Sequence, residues 1–226
     1  MIKFHKVTKK FGTGKTALSN VDFEIEPKEF VFIVGPSGAG KTTLLRLITK
    51  ESLPTSGDIY VGKVKLNDLP YSRIHELRRD VGFIFQDFRL LVDRTAGENV
   101  GMPLEVVGEA KEKIADKVEK ALKMVGLLDK QDHFPVQFSA GELQRLSLAR
   151  AVIGDPSIII ADEPTGNLDP KTSWEIIDLL QKVNEKGHTV IVATHDQDVV
   201  NNLKKRVISI KKGKIVSDKR EGKYIL

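Results

Sequence analysis

The chain has 226 residues, of which 40% are apolar and 30% are charged, with a formal net charge of +5 and no cysteine. This composition is typical of a globular protein and excludes a disordered or collagen-like chain. The absence of cysteine excludes disulfides, thiolate metal sites and a cysteine nucleophile, so any chemistry must use oxygen and nitrogen groups.

Neither a membrane span nor a signal peptide is predicted. The longest apolar runs, such as Phe30–Val34, have about five residues, far fewer than the roughly 20 that cross a bilayer. Residues 1–6 lack the apolar stretch that a signal peptide requires. We therefore expect a chain that remains in the cytoplasm.

The N-terminal elements predict a strand–loop–helix unit. Residues 2–7 and 21–25 are short β-rich runs, and Phe30–Val34 is a continuous apolar run typical of a strand that is buried on both faces. A glycine-rich turn follows this strand, and residues 42–49 have helical spacing. The order predicts a parallel sheet with a loop at the carboxyl end of its strand.

Later elements repeat this pattern around a helical insertion. Residues 81–85, 157–161 and Thr189–Thr194 are further buried strands, and they alternate with helical stretches at 171–185 and 197–204. Lys212-Gly213 predicts a terminal hairpin between 207–211 and 214–217. Helical periodicity between 93 and 154 predicts a helical subdomain inserted in one composite domain, residues 1–226.

Residues 35–42, G-P-S-G-A-G-K-T, match the phosphate-loop pattern G-x-x-x-x-G-K-[ST] between a strand and a helix. Glycines let backbone N–H groups converge on phosphate oxygens, and the following helix directs its positive end at the same anion. We expect Lys41 to reach the β- and γ-phosphates and the Thr42 hydroxyl to bind Mg²⁺. The predicted nucleotide contacts are Gly35, Pro36, Ser37, Gly38, Ala39, Gly40, Lys41, Thr42 and Thr43.

Two carboxylates and a histidine follow buried strands. Asp162 and Glu163 end one strand, and His195 ends the next strand along the chain. We predict that Asp162 holds Mg²⁺, that Glu163 polarises the attacking water as general base, and that His195 contacts the γ-phosphate. Lys41, Glu163 and His195 are therefore the predicted catalytic residues.

Residues 138–145, F-S-A-G-E-L-Q-R, resemble the L-S-G-G-Q-x-Q-R signature of the ATP-binding-cassette (ABC) ATPases. The resemblance implies that Ser139, Gly141 and Glu142, at a helix start, approach the γ-phosphate held by a second subunit. Two ATP molecules would then be buried between two chains in an ATP-dependent homodimer. The sequence departs from the pattern at Phe138, Ala140 and Glu142, and Glu142 adds a negative charge near the bound phosphate.

The same resemblance covers essentially the whole chain. It implies that Gln86 contacts Mg²⁺, that Asp169 in G-N-L-D contacts the opposite phosphate site, and that Phe11 stacks on adenine. The implied fold is an α/β P-loop NTPase of ABC type: a RecA-like core with an antiparallel β subdomain and an inserted α-helical subdomain. ATP, ADP and Mg²⁺ are the implied ligands, and no nucleic acid is expected.

Within the ABC ATPases, residues 85–104 and 125–130 are similar to the FtsE branch, which acts in cell division. The similarity implies an integral membrane partner resembling FtsX, a location on the cytoplasmic face of the membrane, and control of peptidoglycan hydrolases. We expect this partner to dock beside residues 86–91. An ABC transporter subunit of the lipoprotein-release or macrolide-export type is the alternative. A P-loop small-molecule kinase has no reason to carry the signature.

Overall fold

The computed structural model describes residues 1–12 and 14–224, which form two β-sheets, with helices on both faces of the larger sheet. The strands are β1 (Ile2–Lys10), β2 (Thr16–Ile25), β3 (Phe30–Val34), β4 (Ser56–Val61), β5 (Val64–Lys65), β6 (Val81–Ile84), β7 (Ile158–Asp162), β8 (Thr189–Thr194), β9 (Arg206–Lys211) and β10 (Lys214–Lys219). The helices are α1 (Lys41–Ile48), α2 (Ile74–Arg79), α3 (Ala96–Val106), α4 (Lys111–Met124), α5 (Ala140–Val152), α6 (Pro170–Glu185) and α7 (Gln197–Leu203).

The larger sheet has the strand order β10-β9-β3-β8-β7-β6. All neighbouring strands from β9 to β6 are parallel, and β10 pairs antiparallel with β9. The parallel strands therefore end at one edge of the sheet, where ligands bind in open α/β folds. The predicted hairpin around Lys212-Gly213 joins β9 to β10.

Strand β3 shows why this sheet is buried on both faces. Phe30, Phe32 and Val34 pack into the core on the side of α3–α6, whereas Val31 and Ile33 pack into the core shared with α1 and the smaller sheet. Side chains alternate between faces along a strand, so a continuous apolar run serves two cores at once. All five residues of β3 are buried.

The smaller sheet is antiparallel, with the order β2-β1-β4-β5. Strand β4 and helix α2, which come between α1 and β6 along the chain, were not predicted from the sequence. Gly57 in β4 has a φ of +83°, and a Cβ at this position would collide with the backbone of His5 and Lys6, so only glycine allows β4 to pair with β1 at this point.

The segment predicted as a helical insertion, 93–154, contains α3, α4 and α5, which pack against one another. Thr95 begins α3 with a capping box to Glu98. The buried amide of Asn99 holds the preceding loop, because it accepts from the Leu91 N–H and donates to carbonyls that include those of Leu91 and Arg94. In residues 1–12 and 14–224, no helix has the length and apolarity needed to span a membrane.

Candidate functional site

The phosphate loop joins the end of β3 to the start of α1. Gly40 precedes α1 with a φ of +115°, and a Cβ on it would lie 2.7 Å from the Ala17 carbonyl oxygen, so this position requires glycine. Ala39 is buried, whereas Pro36, Ser37 and Gly38 are exposed. Gly35 also has no room for a Cβ because of the Ile210 carbonyl. The loop thus presents its outer turn to solvent while its ends are held by neighbouring backbone.

Lys41 lies at the centre of the site with only 7% of its side chain exposed. Its Nζ donates a hydrogen bond of 2.8 Å to the Gly35 carbonyl and lies 3.3 Å from Glu163 Oε1. The lysine therefore curls back over the phosphate loop, and its charge is balanced by the predicted general base. A phosphate group that bound Lys41 would take the place of that carboxylate.

Glu163 contacts both Lys41 of the phosphate loop and residues at the end of β8. Its second oxygen, Oε2, lies 2.8 Å from His195 Nδ1 and accepts from the His195 N–H at 3.3 Å. The Glu163 backbone N–H donates to the Ala193 carbonyl, and the residue has a φ of +49°. A positive φ is uncommon for a glutamate, and such strained positions concentrate at functional sites.

Asp162 and Thr42 are hydrogen-bonded at 3.3 Å across the end of the sheet. Burial raises the pKa of the Asp162 carboxyl and the charge of Glu163 acts in the same direction, whereas the Thr42 hydrogen bond opposes them. Thr42, Asp162 and Gln86 line one cavity of about 250 Å³. These hydroxyl, carboxylate and amide oxygens are ligands that Mg²⁺ prefers.

This donor set suits a metal ion that is shared with nucleotide phosphate. In the described part of the chain, three or more His, Asp or Glu residues nowhere come together as a protein-only metal site. Mg²⁺ typically keeps few protein ligands and completes its shell with water and phosphate oxygens. Residues Thr42, Asp162 and Gln86 therefore fit a magnesium–nucleotide complex.

The signature residues begin α5. Ser139 is the N-cap, its Oγ accepts from the Glu142 N–H, and the Glu142 carboxylate accepts from the Ser139 N–H at 2.9 Å. This reciprocal capping fixes the start of α5. Ser139 and Ala140 are exposed, so the helix begins at the surface of the chain. Ala140 is helical with a negative φ, so alanine is tolerated where the family pattern has glycine.

Gly141 connects the signature to Asp169. A Cβ on Gly141 would collide with the methyl group of Thr172, and the Thr172 N–H donates to Asp169 Oδ1 at 3.0 Å. Asp169 is the N-cap of α6, and its hydrogen bonds to Thr172 lower the pKa of its carboxyl. The two segments that the family resemblance assigns to the opposite nucleotide are thus adjacent in the fold.

The remaining predicted contacts are Phe11 and Thr43. Phe11 lies in the turn between β1 and β2, its side chain is 44% exposed, and Lys9 Nζ lies 5.4 Å from its ring centroid. Thr43 is half-buried in the first turn of α1, beside Thr42. None of the hydrogen bonds or ion pairs found in residues 1–12 and 14–224 joins Phe11, Ser139 or Asp169 to the phosphate loop of the same chain.

Two basic residues that contact predicted site segments were not predicted from the sequence. Arg150 on α5 is half-buried and donates to the carbonyls of Arg89 at 2.6 Å and Phe88 at 2.7 Å, just after Gln86. Phe88 and Arg89 both have positive φ, so this arginine stabilises a strained loop. Lys130 pairs with Glu142 of the signature. No local sequence pattern marks either contact.

A groove of about 840 Å³ lies between the core and the helical subdomain. Val106 and Val107 of the α3 end supply apolar surface, and Phe85 lines the same groove. Its charged lining is mostly basic: Arg78, Arg79, Arg89, Lys117 and Arg150 against Glu109. In the predicted docking segment 86–91, Arg89 lines this groove, whereas Leu90 packs against the hydrophobic core.

Comparisons with known proteins agree on one family. Residues 18–166 match the family model described as ABC transporter. The cell division ATP-binding protein FtsE of Bacillus subtilis is 46% identical over 99% of this chain and 98% of its own length. FtsE of Escherichia coli strain K12 is 43% identical over 94% of this chain and 96% of its own length.

Solved structures give the same result for the fold. A dimeric ATP-binding cassette in a post-hydrolysis state, bound to ADP and Pi, is 39% identical with a TM-score of 0.90, and the match covers 99% of this chain and 100% of that one. A second dimeric structure of the same cassette, described there as a bacterial ABC transporter cassette, also has a TM-score of 0.90. The fold class predicted from the sequence is confirmed.

Proposed function

The chain belongs to the ABC transporter family and is an ATP-binding, ATP-hydrolysing cassette of the FtsE type, and we propose that it drives a cell-division complex with an integral membrane partner resembling FtsX. The FtsE relatives of Bacillus subtilis and Escherichia coli are both cell-division proteins, which favours this role over the transporter alternative. The complex would hold the chain at the cytoplasmic face of the membrane.

The observation that carries the proposed chemistry is the position of Glu163 between Lys41 and His195. ATP phosphates binding to the loop 35–42 would draw Lys41 away from Glu163, which frees one carboxylate oxygen to accept a proton from water. His195, 65% exposed and bonded to the other oxygen, orients that carboxylate and can reach the γ-phosphate. Lys41 and the helix N-terminus stabilise the charge that develops on the phosphate.

Thr42, Asp162 and Gln86 would hold Mg²⁺ together with the nucleotide. The ion, when bound, neutralises charge on the β- and γ-phosphate oxygens. Burial raises the pKa of the Asp162 carboxyl, and a bound cation would act in the opposite direction by favouring its ionised form. The Thr42 hydroxyl, already hydrogen-bonded to Asp162, lies at the start of α1, where it would face the same phosphates.

We infer that hydrolysis requires two chains. Ser139 and Gly141 lie at the start of α5, and in the described part of the chain no hydrogen bond or ion pair joins them to their own phosphate loop, so we expect a second chain to supply the phosphate that they bind. The two dimeric structures of one cassette of the same fold support this arrangement. Asp169, adjacent to Gly141 through Thr172, would approach the same interface.

The test of this arrangement uses Glu163→Gln. The variant keeps the size of the side chain but removes the base, so turnover should fall by about 10²–10⁴-fold. Size-exclusion chromatography should show the variant as a dimer in Mg-ATP and as a monomer in Mg-ADP. A wild-type chain that stays monomeric at saturating Mg-ATP while hydrolysing it would refute the two-chain site.

For the membrane partner we propose the groove between the core and the helical subdomain. Exposed Val106, at 76%, and Val107, at 40%, form its apolar rim beside Arg78, Arg79 and Arg89. A short amphipathic helix would bury its apolar face there. Arg150 on α5 also lines the groove and donates to the carbonyl of Arg89, so we expect a partner bound there to affect the loop after Gln86.

Co-purification tests the groove. Val106→Asp with Val107→Asp should abolish recovery of the chain with an FtsX-like partner, while Mg-ATP binding is retained. Val216→Asp is the matched control, since Val216 is 53% exposed on β10 and outside the groove. Recovery of the groove variant at wild-type yield would place the docking surface elsewhere.

A further inference from the structure

Two of the three departures from the signature pattern share one neighbour, Lys130. Lys130 Nζ forms an ion pair with Glu142 Oε1 and lies 5.6 Å from the centroid of the Phe138 ring. The Lys130 side chain is 31% exposed and that of Glu142 is 18% exposed. The same ammonium group thus contacts the residues on both sides of Ser139.

The ion pair is coupled to the N-cap serine. Glu142 Oε2, the oxygen not paired with Lys130, accepts from the Ser139 N–H at 2.9 Å and from the Ser139 hydroxyl at 3.0 Å. The Lys130 ammonium and the Ser139 N–H together lower the pKa of Glu142 to about 2. A full negative charge therefore lies in the first turn of α5 at neutral pH.

The turn that carries Lys130 is held to α3. The Ala96 N–H donates to the His133 carbonyl and the Gly97 N–H donates to the Gln131 carbonyl, each at 2.8 Å. Lys130 therefore approaches Glu142 from a fixed backbone rather than from a free surface loop. This makes the pair a built feature of the helical subdomain.

An uncompensated carboxylate at this place would oppose the proposed function. The positive end of a helix attracts phosphate, and a nearby anion repels it. We propose that Lys130 is a positioning residue of the ATP sandwich. By neutralising Glu142, it leaves Ser139 and the N-terminus of α5 able to bind the phosphate of the nucleotide held by a second copy of the chain. The inference rests on the proposed two-chain site.

The test is a double-mutant cycle in the Glu163→Gln chain, in which the dimer accumulates. Lys130→Met should raise the protein concentration needed for dimerisation in Mg-ATP by roughly tenfold or more, because it leaves Glu142 unpaired. Glu142→Gln should abolish this effect, so that the double variant dimerises as well as Glu142→Gln alone. Lys120→Met, at an exposed lysine of α4 in the same subdomain, is the matched control.

Two further measurements separate neutralisation from a merely structural role. The affinity of each monomer for fluorescent ATP at low protein concentration should stay unchanged. The loss in Lys130→Met should shrink at about 1 M salt, where charges more than roughly 3 Å apart are screened. Local unfolding of the signature would not be repaired by salt.

The outcomes are distinguishable. If Lys130→Met causes the same loss whether Glu142 is present or replaced by Glu142→Gln, or causes no loss in either case, the role of Lys130 is overturned while the dimer itself stands. A parent chain that fails to dimerise in Mg-ATP would remove the two-chain site and this inference with it.

Discussion

Replacing Glu163 by glutamine should change the stability of the nucleotide-free protein as well as its turnover. Lys41 Nζ and Glu163 Oε1 are 3.3 Å apart, and only 7% and 12% of their side chains are exposed. Glutamine has nearly the same shape and its amide can still pair with His195. The change therefore removes the negative charge beside Lys41 and little else.

The expected loss is intermediate between two limits. Breaking a fully buried ion pair costs about 3–5 kcal/mol, and an exposed pair contributes about 0–1 kcal/mol. Lys41 keeps its hydrogen bond to the Gly35 carbonyl, so we expect a loss of about 1.5–3 kcal/mol, typical of hydrogen bonds to charged groups. For a chain of this size, the thermal midpoint should fall by roughly 3–12 °C.

The same difference in free energy should also change the affinity for ATP. ATP phosphate must displace Glu163 from Lys41 in the wild type but meets no such competitor in the variant. An advantage of about 1.5–3 kcal/mol corresponds to roughly 10- to 150-fold tighter binding. The variant should therefore be less stable than the wild type without nucleotide and should gain more stability from ATP.

Thermal unfolding with and without Mg-ATP, together with nucleotide titration at low protein concentration, measures both effects. Glu175→Gln is the matched control: Arg145 and Glu175 are also 3.3 Å apart, but 21% and 47% of their side chains are exposed. This control should change stability by at most about 1 kcal/mol. If Glu163→Gln keeps both the wild-type midpoint and the wild-type ATP affinity, the competition argument is refuted.

Three further predictions concern other parts of the site. Phe11→Ala should weaken ATP and GTP binding alike by about 1–3 kcal/mol, because stacking on an aromatic ring tolerates any base; a titration in which strong ATP preference survives the change would contradict the stacking role. Arg150→Lys should lower the free energy of unfolding by about 1.5–3 kcal/mol in urea, since one ammonium cannot reproduce the paired bonds to the carbonyls of Phe88 and Arg89; an unchanged unfolding midpoint would show that these bonds contribute nothing. The pKa of Glu142 is lowered from its ordinary value of 4.5 to about 2, so the ionised carboxylate stabilises the fold at pH values above 4.5. This stabilisation should be lost as the pH falls from 4.5 towards about 2. Urea unfolding at about pH 6 and about pH 3 should therefore show the wild type losing more stability than Glu142→Gln, and parallel losses would contradict the shift.

The sequence by itself determined the elements whose signals are local. The apolar runs Phe30–Val34 and Thr189–Thr194 were predicted with the bounds that the structure gives them. The phosphate loop could be recognised directly, because glycine at positive φ and a following helix leave a characteristic local pattern. Strand β4 was missed because it is only partly buried and lacks the continuous apolar run that marks the central strands, and helix α2 was missed because it has only six residues.

Only the tertiary structure decided which residues meet. Thr42 and Asp162 are 120 positions apart in the sequence. They are hydrogen-bonded because Thr42 follows β3 and Asp162 ends β7, and only β8 separates these two parallel strands in the sheet. Strand order depends on how both faces of the sheet are buried, and periodicity along one strand carries no information about its neighbours. The contacts of Lys130 with Glu142 and of Arg150 with the loop after Gln86 arise in the same way. The sequence shows which side chains are charged, but tertiary packing determines which group lies close enough to balance each charge.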